Sequence, residues 1–220
     1  MLKKLDLKKI TAVCIDGRDL TNSDINHYNL VFNHMKRSAD FYRILWVGKK
    51  NLNIENVDYY HVDGMSIGDY SNFCIKKLNI LVESEFCLVF QSDGFIINPD
   101  IWRDSFYDYD YIGAPWPLYL GWPKEGSQVG NGGFSLRSKK FLEVASQMPE
   151  STHNEDAYIV ITRKDDLSKN NIKIAPLEVA KDFSVENPLD DNHNIETSFG
   201  FHSKSLLPEV LSRKIKNENV

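Results

Sequence analysis

Between residues 10 and 90 the chain alternates short, β-branched apolar runs with segments of helical periodicity, and this alternation restricts it to few architectures. Residues 10–15 (ITAVCI) read as a buried strand closed by Asp16-Gly17, and residues 42–47 (YRILWV) as a second stopped by Gly48. Residues 59–62 give a short third strand, and residues 85–90 a fourth that runs into Gln91-Ser92-Asp93-Gly94. The segments between them open with helix start signals. Thr21-x-x-Asp24 and Ser66-x-x-Asp69 have the form of capping boxes. After them Ile25, Tyr28, Phe32 and Met35, then Ile67, Tyr70, Cys74, Leu78 and Leu81, recur at spacings of three and four. Such a pattern predicts an α/β fold whose central sheet is mixed but mainly parallel, with helices on both faces and right-handed crossovers. Ligands of these sheets bind beyond the carboxyl ends of the strands, which directs attention to residues 16–18, 46–50 and 91–94.

The second half has a different texture. Residues 102–122 hold eight aromatics, Trp102, Phe106, Tyr107, Tyr109, Tyr111, Trp116, Tyr119 and Trp122, where the overall usage of 12% predicts about two or three. Tyr111 and Ile112 read as buried strand, whereas Trp116 and Trp122, beside prolines, read as rigid loop. Gly130-Asn131-Gly132-Gly133 precedes a strand at 134–136 and a helix carrying Phe141, Leu142, Ala145 and Met148 that Pro149 stops. Asn154-Glu155-Asp156 has the pattern of an N-cap followed by first-turn acids. Residues 172–185 carry strand signals and residues 206–215 a last helix. Neither a repeat nor a linker interrupts the 220 residues, which favours one domain over 1–220.

Several function classes are excluded. A surplus of 31 acidic over 26 basic residues leaves a net charge of −5, unsuited to a nucleic-acid partner. The longest apolar runs, such as Cys87-Leu88-Val89-Phe90, fall far short of the roughly 18 residues of an integral membrane segment. Asp6, Lys8 and Lys9 break the apolar region that a leader would need, so a cytoplasmic protein is expected. Cys14, Cys74 and Cys87 are odd in number and set in apolar sequence, as reduced core thiols are. Gly130-x-Gly132 meets Ser135 where a dinucleotide fingerprint has its third glycine, and the P-loop, zinc-pair and G-x-S-x-G patterns are absent.

What is left is a carboxylate, Asp93, beside Gly94 at the sheet's carboxyl edge. It suits a divalent cation with oxygen ligands, the group that offsets the charge of a nucleotide diphosphate, and equally suits an ordinary turn. For a nucleotide ligand Asp16 would offer an acceptor for base or ribose, Arg18 and the helix residue Lys77 cations for phosphate, and the helix residue Tyr70 a ring to stack, each equally at home on a solvated surface.

Phe90-Gln91-Ser92-Asp93-Gly94, residues 109–116 (YDYIGAPW), residues 130–137 (GNGGFSLR), Glu155-Asp156 and Phe199-Gly200-Phe201-His202 together resemble, in order and spacing, a small branch of the GT-A glycosyltransferases. The resemblance runs over about residues 70–202. It implies transfer of a hexose or deoxyhexose from a nucleotide-diphosphate sugar, often a UDP-sugar, to a glycan or glycoprotein acceptor, assisted by Mn²⁺ or Mg²⁺. It also implies a nucleotide-binding part over about 1–98 and an acceptor and catalytic part over about 99–220.

By that resemblance Asp93 matches the last carboxylate of an Asp-x-Asp motif whose first position is Gln91 here, with Ser92 between them. His202 is implied as a second metal ligand or diphosphate contact, since Mn²⁺ accepts mixed nitrogen and oxygen ligation. Gly130, Gly132 and Gly133 would permit close approach and positive φ beneath a sugar, and Asn131 would meet its hydroxyls. Asp156, or Glu155 beside it, is the implied general base of an inverting transfer. The aromatic belt would supply an acceptor platform. Two other classes compete: a non-catalytic carbohydrate-binding module, and a glycoside hydrolase with a carboxylate pair.

Overall fold

A computed structural model describes residues 4–215. The six-stranded sheet has the order β3-β2-β1-β4-β6-β5. Strands β1 (Leu5–Asp16), β2 (Ala39–Gly48), β3 (Asp58–His61) and β4 (Phe86–Phe90) run parallel, and β6 (Ser135–Ser138) lies antiparallel between β4 and β5 (Tyr111–Gly113). The sheet is thus mixed and mainly parallel, as the alternation of elements requires. A separate parallel pair joins β7 (Ser184–Val185) to β8 (Gly200–Phe201).

Side-chain alternation divides the core between the two faces of the sheet. Ala12, Cys14, Ile44, Trp46, Leu88 and Phe90 pack with Tyr28, Val31, Phe32 and Met35 of α1 (Asn22–Ser38). Their neighbours Val13, Ile15, Leu45, Val47, Cys87 and Val89 pack with Phe73 and Cys74 of α2 (Ile67–Lys76), Leu78 of α3 (Leu78–Leu81), and Phe141 and Leu142 of α4 (Lys139–Gln147). Both capping boxes form: Thr21 with Asp24, and Ser66 with Asp69. The three cysteines are free and buried.

Four expectations need correction. The helix read over Ile67 to Leu81 breaks at Lys77, and Ile67, in its first turn, is 76% exposed and not on the buried face. The strand read over 172–185 is mostly α7 (Leu177–Phe183), because Pro176 fixes the entry to a helix and Glu178 favours its first turn; only Ser184 and Val185 are strand. Asn154 makes no capping hydrogen bond. The helix after it, α5 (Glu155–Ala157), passes at once into a π turn, Tyr158–Thr162, before α6 (Lys164–Lys169). The last helix divides into α8 (Leu207–Val210) and a π turn, Leu211–Ile215. Among the described residues no helix is long and apolar enough to cross a membrane.

Candidate active site

Strand β4 ends in a closed turn: Gln91 N–H donates to the Gly94 carbonyl at 2.7 Å, and Gly94 N–H returns to Gln91 at 3.2 Å. The turn carries Asp93, 8% exposed, at the sheet edge. His202 leaves β8 with its N–H on the Val185 carbonyl (3.0 Å), and the next N–H, of Ser203, binds the Asp93 carbonyl (2.8 Å). The imidazole is thereby brought over the turn, with Nε2 3.8 Å from Asp93 Oδ1 and 3.1 Å from Gln91 Oε1. Gln91 Nε2 in turn donates to the Tyr70 hydroxyl at 2.9 Å. Glycines make room for this ring. A Cβ at Gly94 would come within 2.8 Å of His202 Cδ2, and one at Gly133 would overlap the ring itself. His202 Nδ1 is buried without a hydrogen-bond partner among the described residues.

At the end of β1, Asp16 has its carboxylate fully engaged. It accepts from Arg18 N (2.9 Å), Nε (3.0 Å) and Nη2 (2.6 Å), and from the Tyr28 hydroxyl (2.7 Å). Burial opposes its ionisation, but the hydrogen bonds from Arg18 and Tyr28 hold it below the usual carboxylate range. Asp16 is therefore the anchor of Arg18, whose side chain is 62% exposed, and has no capacity left for a base or ribose. His27 Nε2 contacts the Ser92 carbonyl at 2.6 Å, so α1 braces the Asp93 turn from the same side.

The glycine segment lies across the turn from Asp16. Gly132 N–H donates to Asp156 Oδ2 at 3.0 Å, and Ala157 N–H to Asp156 Oδ1 at 2.7 Å. A Cβ at Gly132 would stand 3.0 Å from Arg137 Nη2 and 3.1 Å from Asp156 Cβ and would overlap Glu155. The two neighbouring acids have different fates. Glu155, 4% exposed, forms a buried ion pair with Arg137 (Oε1 to Nη2, 2.9 Å), which leaves it closed off from solvent. Among the described residues no cation stands at hydrogen-bond distance from Asp156; burial first, and then the charge of Glu155, push its carboxyl up to about 7.

The expected positive φ at Gly130, Gly132 and Gly133 is not found; among the described glycines only Gly121 and Gly126 are left-handed. These positions require glycine because side chains press on them: Trp116 on Gly130, Glu155 on Gly132, His202 on Gly133. Asn131, 4% exposed, turns Oδ1 to the Gly133 N–H (3.1 Å).

The structure gathers Asp16, Arg18, Tyr70, Ser92, Asp93, Asn131, Gly132, Gly133, Asp156 and His202 along one edge. Lys77, the C-cap of α2, lines a surface cleft of about 310 Å³ with Asp63, Met65, Asp69 and Glu150, and Met65 N–H binds the Gly17 carbonyl (3.3 Å) next to Asp16. Most of the aromatic belt is core: Phe106, Tyr111 and Trp116 are buried, and Trp102, Tyr107 and Tyr109 pack against the core. Only Tyr119 and Trp122, 75% and 45% exposed, still face outward for an acceptor.

Several residues of this edge were not singled out from sequence. Tyr28 looked like plain helix packing. Arg137 carries one signal, a charge directly after the strand read over 134–136 with no acidic partner nearby in sequence. Glu186 had none: it follows β7 as His202 follows β8, and burial raises its carboxyl while the nearby His202 opposes the rise.

The model of a family described as "Protein of unknown function (DUF5672)" matches residues 52–202, more than half of the chain, from Leu52 to His202. The protein belongs to this family. No curated protein matches the sequence. Among solved structures, the DUF5672 chain is similar to a glycosyltransferase involved in the glycosylation of the major capsid of PBCV-1, with a TM-score of 0.50 and 11% identity over 88% of this chain and 91% of that one. It is also similar to the mannosyltransferase PcManGT from Pyrobaculum calidifontis in complex with GDP-Man and Mn²⁺ (TM-score 0.48, 8% identity, 79% and 56% covered). A third is an active-site mutant of LgtC (TM-score 0.47, 10% identity, 89% and 87% covered). The DUF5672 chain thus has the α/β architecture of GT-A, Rossmann-like proteins.

Proposed function

We propose that this protein is a metal-assisted, inverting glycosyltransferase that moves a hexose or deoxyhexose from a nucleotide-diphosphate donor, uridine-linked by preference, to a hydroxyl of a glycan or glycoprotein. One juxtaposition carries the reading. The two-residue segment Gly132–Gly133 touches Asp156 on one side and His202 on the other, and His202 faces Asp93. A proton acceptor and a pair of candidate cation ligands thus flank the glycine segment on its two sides. The GT-A fold agrees with this use of the sheet edge.

In the proposed reaction Asp156, its carboxyl raised to about 7, takes the proton of the attacking acceptor hydroxyl. The hydroxyl oxygen bonds to the anomeric carbon as the bond to the diphosphate oxygen breaks on the opposite face. Arg18, paired with Asp16, would meet the diphosphate, and Tyr70, bound to Gln91, would line the donor side. Among the described residues no three His, Cys, Asp or Glu side chains gather as a ready cation site; Asp93 and His202, whose Oδ1 and Nε2 lie 3.8 Å apart, would hold a divalent cation together with Gln91 Oε1, 3.1 Å from the same nitrogen. When bound, Mn²⁺ or Mg²⁺ supplies charge to offset that of the departing diphosphate.

The test is thermal stabilisation by UDP, GDP and CDP with and without Mn²⁺, followed by nucleoside diphosphate release from a donor panel. Stabilisation by one diphosphate only in the presence of metal, with release from its sugar, is expected. Glycan affinity without nucleotide affinity would replace the reading by a carbohydrate-binding module, and glycan cleavage without any nucleotide by a hydrolase.

A further inference from the structure

The glycine segment is held from beneath by a cross-strand pair. Tyr111 of β5 and Arg137 of β6 stand opposite each other in register, with the guanidinium 5.7 Å from the phenol ring. Tyr111 donates to the carbonyls of Gly130 (2.6 Å) and Asn131 (3.2 Å), and Arg137 Nη2 donates to that of Gly132 (3.2 Å). Three consecutive carbonyls are thus pinned by two adjacent side chains. Arg137, 1% exposed, also binds Ser135 Oγ through Nε (2.9 Å) and pairs with Glu155. At Gly132 the two ends meet: its carbonyl is fixed by Arg137, and its N–H fixes Asp156.

We propose that Arg137 is a positioning residue for the transfer reaction, which sets, through the two peptide groups that meet at Gly132 and through Glu155, where the Asp156 carboxylate stands. The inference rests on the reading of Asp156 as the general base. Lysine is a poor substitute, because one ammonium lacks the planar fork that holds Ser135, Gly132 and Glu155 together. The charged and titratable groups facing Asp156 are Glu155 beside it, Arg137 from β6 and Tyr111 from β5; Tyr70 and Cys74 of α2 face the Arg137–Glu155 pair. Removing the Glu155 charge while Arg137 stays makes Asp156 ionise at lower pH. Removing Arg137 while Glu155 stays makes it ionise at higher pH.

The experiment follows kcat and KM for nucleoside diphosphate release against pH in Glu155→Gln, Arg137→Lys and Arg137→Met, alongside a ¹³C-carboxyl NMR titration of Asp156 assigned with Asp156→Asn. Arg137→Lys is expected to lower kcat about tenfold or more through misplacement of the base, with donor KM changed by less than about threefold. The Asp156 midpoint is expected to fall by about one unit in Glu155→Gln and to rise in Arg137→Met. Wild-type kcat in Arg137→Lys, or midpoints that stay fixed or move in the same direction in the two charge variants, would overturn the proposal. Should Arg137→Met fail to fold, the kcat of Arg137→Lys and the midpoint of Glu155→Gln decide. Wild-type turnover in Asp156→Asn would reject the base itself, and the NMR midpoints would still report whether Arg137 and Glu155 govern that carboxyl.

Discussion

The two halves of the sheet edge are assembled by different means. On the side of β1 to β4, backbone ladders and alternating apolar side chains place the strand ends, and the candidate site residues sit at the tips of that frame. On the side of the glycine segment, position comes from single contacts: a tyrosine and an arginine on three carbonyls, an aspartate on one N–H, and a histidine against two glycines. A frame of the first kind tolerates change at its tips. An arrangement of the second kind passes each change on to the chemistry.

Point changes should expose that asymmetry. Asp156→Asn is expected to reduce kcat by about 10²–10⁴-fold while donor-dependent thermal stabilisation persists. In the unaltered protein kcat/KM should fall about tenfold for each pH unit below about 7, because the base acts only when ionised and its carboxyl is raised to about 7. A flat profile between pH 5 and 8 in a pH-rate measurement would remove Asp156 from the reaction. Next in size, Asp93→Ala and His202→Ala should each weaken Mn²⁺-dependent binding of the nucleoside diphosphate about 10–100-fold, as read by calorimetry, with little change in metal-free stability.

Gly133→Ala tests the contact-built half directly. Its new Cβ meets the His202 ring, and a loss of about 1–3 kcal/mol in urea unfolding is expected, together with loss of the Mn²⁺ response. The smallest effect belongs to the frame: Thr21→Ala removes the cap of α1 and should cost about 1 kcal/mol, leaving kcat within about twofold. Should Thr21→Ala disturb turnover as much as Gly133→Ala, the contrast between the halves would not hold.

The same contrast explains what the sequence made legible. The strand ends, both capping boxes and the apolar face of α1 follow from period and cap chemistry, which act over a few residues. The roles of Arg137, Tyr28 and Glu186 depend on partners 18, 12 and 16 residues away or more, and no local pattern carries that information. Glycines 130, 132 and 133 were legible as a place of close approach, but the reason lay in Trp116, Glu155 and His202 pressing on them and not in backbone sign. Residues 172–185 misled because β-branched composition competed with Pro176, and the proline prevailed.

The buried thiols give the two halves their own reporters. Burial makes Cys14, Cys74 and Cys87 all reluctant to ionise; Cys14 lies on β1, which ends at Asp16, and Cys74 on α2. An alkylating reagent therefore reaches either sulfur only when its surroundings open, so the labelling rates of Cys14 and Cys74 clock the breathing of each half separately, without any introduced probe.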